Sequence, residues 1–327
     1  MISLITGNVR PKAGDLVLAR VESIGSHKRV ELTTGRRAHL FPGDEVILSF
    51  GNRYAPDQYE AYVPDGLEEC HMVAAGGIAA DAVSWHSKLL GPTCIKPLGL
   101  IGGAHNRPLN LADFSLGLAC CVQPGQVFGV FGTSMNAGKT TTAASLVKGL
   151  RAAGYTVGAA KITGTGAGGD LWLMRDSGAH EVLDFTDIGM PTTFGFDEST
   201  IVAGAMRLLH ELGSKGCNVA VLEVADGLFQ EETAALAASE KLRSVLTGTL
   251  FAAGAAMGAV GGVATLERLN HNVLGLSGAF TQSPLAIREA KAALSLPIIS
   301  SMELQTPQDL LPLLGLRNHV APLAQSA

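Results

Sequence analysis

The hydrophobic pattern changes character part-way along the chain. In the first part, apolar residues come in short strand-length runs at 15–21, 29–33, 45–50 and 59–63. Turn pairs punctuate them: Thr34-Gly35, Gly43-Asp44 and Gly51-Asn52. Short apolar runs bounded by such turns predict strands, and their spacing predicts a small barrel or sandwich. A Gly/Ala-rich region at 74–82 follows, then a helix expected over 81–90 and a Pro/Gly-rich stretch through Pro108.

Beyond Pro124-Gly125, a plausible hinge, the pattern alternates between buried strands and helices. Residues 127–132 read as a strand, and Ala143, Leu146, Val147 and Leu150 form the i, i+3, i+4, i+7 stripe of a helix. Strands are predicted at 155–160, 218–223, 272–278 and 296–300, with helices at 199–212 and 285–294. The predicted fold class is α/β: a P-loop domain with a mostly parallel sheet flanked by helices, preceded by a smaller β-rich domain. The boundaries are set at 1–118 for the β-rich domain, whose role the sequence does not specify, and 119–327 for the nucleotide-binding domain.

Composition narrows the classes. At 327 residues and 47 % hydrophobic content the chain can build two substantial cores. A net charge of −5 offers no general attraction to nucleic acid or anionic membrane, so neither is expected as a partner. His27-Lys28-Arg29 and Arg36-Arg37 read as solvated hairpin ends rather than an RNA-binding patch. Five cysteines without a C-x-x-C pair suggest reduced thiols, and no signal peptide is evident, which together predict a cytoplasmic protein. Cys70, His71, His86, Cys94 and His105 match no zinc spacing. Residues 244–266 carry no charge until Glu267, but are Gly/Ala-rich and read as packed elements of a nucleotide-binding domain rather than a membrane span.

The chemistry concentrates in one stretch. After the 127–132 strand come Thr133, Ser134, Met135, Asn136, Ala137, Gly138, Lys139, Thr140 and Thr141, leading into the helix. Strand, small-residue loop, Gly-Lys-Thr and helix are the context of a Walker A phosphate loop. Main-chain amides and the helix N-terminus would hold the phosphates, Lys139 would place an ammonium between them, and Thr140 would bind Mg²⁺. A second signal is the apolar strand ending in Glu223, which presents a carboxylate as a Walker B strand does. Mg²⁺ needs few protein oxygens, and Thr140, Asp170 and Glu223 would suffice. Asp176 or Asp187 could replace Asp170.

These motifs resemble dethiobiotin synthetase and its P-loop relatives over residues 127–230. The resemblance rests on Gly132-Thr133 with Gly138-Lys139-Thr140, a strand ending in Lys161, a glycine-rich loop to Asp170, and Glu223 with Gly227. It implies ATP and Mg²⁺ held by Lys139, Thr140, Asp170 and Glu223, with Lys161 contacting the substrate-side phosphoryl or carbamate group. Ser134 stands where the synthetase usually has Asp, and Lys161-Ile162 where it has Lys-Pro. The expected function is therefore an ATP-dependent kinase or ligase acting on an unspecified small-molecule acceptor near Lys161 and residues 163–169, with Lys139 and Lys161 catalytic. A homo-oligomer is compatible with the sequence. The alternative is an ATP- or GTP-hydrolysing switch acting on a protein partner. Ser134 replaces the extra lysine of dimeric switch ATPases, and no Asn-Lys-x-Asp guanine reader occurs. Thr281 and Gln282 lie where a base would be contacted, although they read first as turn residues.

Overall fold

The structure, a computed structural model, describes residues 3–117 and 122–319. It divides into two compact units. The first comprises Met1–Gly117 with two later segments, Thr163–Gly169 and Asp184–Asp197; the second holds the remaining residues.

The first unit is built on β1 (Ser3–Ile5), β2 (Leu16–Ser23), β3 (Arg29–Glu31), β4 (Arg37–His39) and β5 (Glu45–Phe50). It continues with β6 (Arg53–Tyr54), β7 (Tyr59–Tyr62), β8 (Cys70–Ala74), β9 (Ile78–Trp85) and β10 (Thr93–Gly102). Eight of these form one mixed sheet in the order β1-β10-β2-β5-β9-β7-β6, with β8 pairing both β10 and β9; β3 and β4 form a separate hairpin. Along β2, half-buried Leu16 and Leu18 alternate with buried Val17 and Ala19, as expected of a strand packed mainly on one face. Val17, Val21, Leu48, Phe50, Met72, Ile95 and Leu100 fill the core.

Of the helix expected over 81–90, residues 81–85 are instead the end of strand β9 and 86–90 are turn. β9 pairs antiparallel with β8 over its first residues and with β7 over 81–85, and this ladder pairing overrides the helix propensity of its alanines. The Pro/Gly-rich stretch likewise contains a ten-residue strand, β10.

The second unit alternates strand and helix: β11 (Gln126–Gly132), α1 (Lys139–Ala152), β12 (Val157–Lys161), α2 (Gly169–Asp176), β13 (Glu181–Asp184) and α3 (Glu198–Ser214). Then follow β14 (Val219–Glu223), α4 (Glu231–Ala238), α5 (Glu240–Val245), β15 (Gly248–Ala252), α6 (Ala256–Arg268), β16 (Val273–Ser277), α7 (Pro284–Ala293) and α8 (Pro307–Leu314). The strand order is β13-β12-β14-β11-β15-β16, and β11 pairs in parallel with β14 on one side and β15 on the other. The α/β class with a preceding β domain is thus the observed architecture. Every residue of β14 and β15 is buried, the pattern of strands covered on both faces.

Residues 244–266 are divided among the end of α5, β15 and α6, and no helix among the described residues is long and apolar enough to cross a membrane. The strand expected at 296–300 is reduced to a single bridge between Leu276 and Ile298. Pro297 accepts from Leu276 N at 2.9 Å but has no N–H of its own with which to extend a ladder.

Candidate functional site

The predicted phosphate loop sits where an open parallel sheet collects its ligands, at the C-terminal end of β11 beside β14. Its backbone is set by three unusual positions. Asn136 adopts φ 63°, a left-handed conformation Asn tolerates, and Gly138 has φ 94° immediately before α1. Gly132 must lack a side chain, because a Cβ there would lie 2.6 Å from Lys139 Cγ and 2.8 Å from the Ala252 carbonyl. The loop is tied down at both ends: Thr133 N donates to Ala252 O at 3.0 Å, and Ala279 N donates to Ala137 O at 2.9 Å. Thr281 closes its own turn through Oγ1 to Gly278 O at 2.8 Å, and Gln282 is exposed.

Lys139 is only 6 % exposed, and its Nζ donates to the Ser134 carbonyl at 2.7 Å. The ammonium therefore lies along the inside of the loop. Burial lowers its pKa, with the charges of Glu223 and Asp226 working in the opposite direction. Thr140 Oγ1 donates to Glu223 Oε1 at 2.8 Å, so the two expected Mg²⁺ ligands, one from α1 and one from β14, do meet. Ser134, Asn136 and Thr141 are exposed, while Met135 is half-buried and Ala137 buried.

Glu223 ends β14 at 1 % exposure and Oε2 has no hydrogen-bond partner. Burial pushes its pKa up, countered first by the Lys161 ammonium. Lys161, at the register-matched end of β12, forms an ion pair with Asp170. Burial opposes its charge, but Glu223 and Asp170 outweigh that and hold its pKa above the ordinary lysine value. Asp170 lies in the first turn of α2. Of its alternatives, Asp176 is exposed at the other end of that helix, and Asp187 accepts from Asp184 N at 2.8 Å within a turn.

Magnesium fits this donor set. A threonine hydroxyl and a buried carboxylate with one unpartnered oxygen are hard oxygen ligands, and Mg²⁺ completes its shell with phosphate oxygens and water. Among the described residues no group of three His, Cys, Asp or Glu is placed to hold a metal by itself.

The glycine-rich segment after Lys161 differs from expectation. Within the first unit it is anchored: Gly164 N donates to Thr193 Oγ1 at 2.9 Å, Gly166 N to Pro191 O at 2.9 Å, and Gly168 N to Glu31 Oε2 at 3.2 Å. Those amides are already bonded, so this is not a flexible loop offering them to a small acceptor.

No protein-family model matches the chain, and no curated protein does. Solved structures do. The second unit is a mostly parallel sheet flanked by helices. The chain is similar to the cell division protein FtsY of Thermotoga maritima, at 19 % identity and a TM-score of 0.39 over 62 % of this chain and 74 % of that one. It is similar to the signal recognition particle receptor FtsY of Elizabethkingia anophelis in complex with GDP (15 %, TM-score 0.40, 62 % and 67 %). It is also similar to HypB of Helicobacter pylori in complex with nickel (15 %, TM-score 0.38, 58 % and 85 %). These are not dethiobiotin synthetases, small-molecule kinases or ligases, and the FtsY complex holds GDP. The expectations of a kinase or ligase, of ATP as its nucleotide, and of a small-molecule acceptor as its partner are corrected accordingly.

One residue had no role assigned from sequence. Asp226, three positions after Glu223, is a non-glycine residue at φ 63°. The signal was visible as an acid directly before Gly227.

Proposed function

We propose that the second unit is a magnesium-dependent nucleoside triphosphatase that acts as a switch on a protein partner. The observation that carries this reading is the pairing of half-buried Thr140 with buried Glu223, whose second carboxylate oxygen is unpartnered, beside Lys139 at the ends of adjacent parallel strands. Main-chain amides of the loop beyond Thr133, with the α1 N-terminus, receive the phosphates. Lys139 exchanges the Ser134 carbonyl for phosphate oxygens. Thr140 and Glu223 would hold magnesium, which when bound would neutralise the charge developing on the phosphates. Lys161 is placed to turn from Asp170 toward a γ-phosphate, leaving Asp170 for magnesium-bound water. Phosphate arrival thereby changes an ion pair at the start of α2, which gives the triphosphate and diphosphate states different structures. Phe229, 95 % exposed and six residues after Glu223, supports a protein rather than a metabolite as the reader of that difference.

The test is nucleotide binding and turnover by the full chain, with GTP tried first and ATP in parallel. Magnesium-dependent release of diphosphate and inorganic phosphate, with no phosphorylated or ligated metabolite formed, is expected. Folded protein that binds neither nucleotide overturns the reading.

A further inference from the structure

We infer that the β3–β4 hairpin of the first unit is a docking edge for the protein partner, which adds to β4 an extended strand bearing acidic side chains. The inference rests on the switch reading above for the existence of a protein partner, and on the hairpin for everything else. Lys28, Arg29, Arg36 and Arg37 place four of the chain's 24 Lys and Arg residues within ten positions, in a chain whose net charge is −5. All four are exposed, as is His39. The one acid between residues 26 and 41 is Glu31, and it is committed within the unit. Its side chain, 9 % exposed, accepts from Gly168 N at 3.2 Å and lies 3.6 Å from Arg37 Nε. Among the described residues, the side chains of Lys28, Arg29 and Arg36 have no ion-pair partner.

The backbone of the hairpin is open on the same side. Arg29 stands opposite His39, and Glu31 opposite Arg37. Leu32 N donates to Arg36 O at 2.9 Å and Leu40 N to Lys28 O at 3.0 Å. Bonded pairs alternate in an antiparallel ladder, so Arg37 and His39 turn their N–H and C=O groups away from β3. On the β3 side the outward position is already used, because Glu31 N donates to Ala75 O at 2.7 Å. On the β4 side, no main-chain hydrogen bond reaches Arg37 or His39 among the described residues. Such an edge is a template for another strand. Val30 packs against the core, so alternation puts Arg29, Arg37 and His39 together on the opposite face. A strand laid along β4 presents every second side chain to that face, and carboxylates there would meet cations across the ladder. The same charges select against a second copy, since pairing two β4 edges would set cations against cations. With three residues in β4 the main-chain bonds are few, and charge has to supply the selectivity.

The experiment titrates the full chain, without nucleotide, against a fluorescein-labelled decapeptide alternating Glu and Thr, with poly(U) RNA in parallel. Binding of the peptide is expected, and Arg29→Ala with Arg36→Ala should weaken it about tenfold. His39→Pro removes an outward N–H that bonds nothing in the chain, and it should bind about fivefold more weakly than His39→Ala, which keeps that N–H. The same peptide with every amide N-methylated cannot donate to a strand and should not bind, a test that holds even where His39→Pro does not fold. Folded wild type that ignores the peptide overturns the inference. Nucleotide turnover, measured separately, is untouched by that result, so the two readings fail independently. Equal binding by the two His39 variants and by the methylated peptide overturns it as well, by leaving attraction between charges without strand addition. Tighter binding of poly(U) than of the peptide would make the hairpin an RNA surface. A wild-type dimer in sedimentation that the arginine substitutions dissociate would make a second copy the occupant, and either result overturns the inference.

Discussion

The two units bury their charged groups in opposite ways. In the second unit, β11, β14 and β15 are apolar almost from end to end, and their charges appear only where the strands stop: Lys139 after β11, Glu223 at the end of β14, Lys161 at the end of β12. In the first unit the ionisable groups, charged Arg53 and neutral His27, lie within the fold itself. Arg53, 6 % exposed, donates to the Val73 carbonyl and, at 2.8 Å, to Gln58 Oε1; His27 packs 5.4 Å from the Tyr59 ring. Charges gathered at converging strand ends leave an oxygen unpartnered and form a place for a ligand. Charges dispersed among side chains and carbonyls cross-link a sheet. The first arrangement should fail in activity when a charge is removed, the second in stability.

The largest expected effect tests the first half of that contrast. Lys139→Ala should reduce nucleotide turnover by about 10³-fold, since the ammonium is a preorganised charge at the phosphates. The melting temperature should move little, because only a loop carbonyl loses its partner. A large fall in melting temperature would mean that Lys139 is a structural cross-link like Arg53.

Next comes the corresponding probe of the first unit. Burial, then the nearby Arg53, lowers the His27 pKa from 6.5 to about 4. The folded state thus disfavours protonation relative to the unfolded chain. The stability contributed is complete above pH 6.5 and is lost as pH falls from there toward about 4. The linkage amounts to roughly 3 kcal/mol at most. His27→Gln should flatten the pH dependence of unfolding over that window; an identical pH profile in wild type and variant would place His27 in solvent.

These two regions were not equally legible in the sequence. The phosphate loop could be read because strand, loop and helix are contiguous, and because Gly-Lys-Thr has a backbone reason at each position. Glu223 was legible as the acid closing an apolar strand. What the sequence could not carry was long-range pairing. Residues 81–90 look helical locally, yet 81–85 lie in β9 and are fixed by pairing with β7, a strand earlier in the chain. Residues 163–169 look like a free glycine loop, yet Gly164, Gly166 and Gly168 are bonded to Thr193, Pro191 and Glu31. Asp226 went unassigned because a left-handed aspartate is a property of the folded backbone. The nucleotide and partner were misjudged because phosphate-binding residues say nothing about the base or about what reads the bound state.

A smaller effect concerns that glycine segment. A Cβ on Gly76 would lie 1.8 Å from the Gly166 carbonyl, backbone against backbone, so Gly76→Ala has to push the segment away. Overpacking of this kind costs about 2 kcal/mol. Gly254→Ala, with open space around its Cβ, is the control and should leave chemical denaturation unchanged. Equal midpoints for the two variants would show that the segment is not held as described.

The smallest effect is also the most discriminating, because it acts in opposite directions on activity and stability. Glu223→Gln keeps an acceptor for Thr140 Oγ1 but removes a charge that is buried and costly, as its raised pKa records. Two consequences oppose each other in stability: relief of that burial, and loss of the attraction that Glu223 provides to Lys161. Because Lys161 retains Asp170 as its ion-pair partner, the relief should prevail, and the melting temperature should hold or rise slightly. Magnesium has no such substitute. The concentration supporting half-maximal turnover should increase about tenfold, the loss of roughly 1.4 kcal/mol from one anionic ligand. A variant that melts several degrees lower with an unchanged magnesium titration would make Glu223 a buried structural acid, and the two units would then bury their charges for the same purpose.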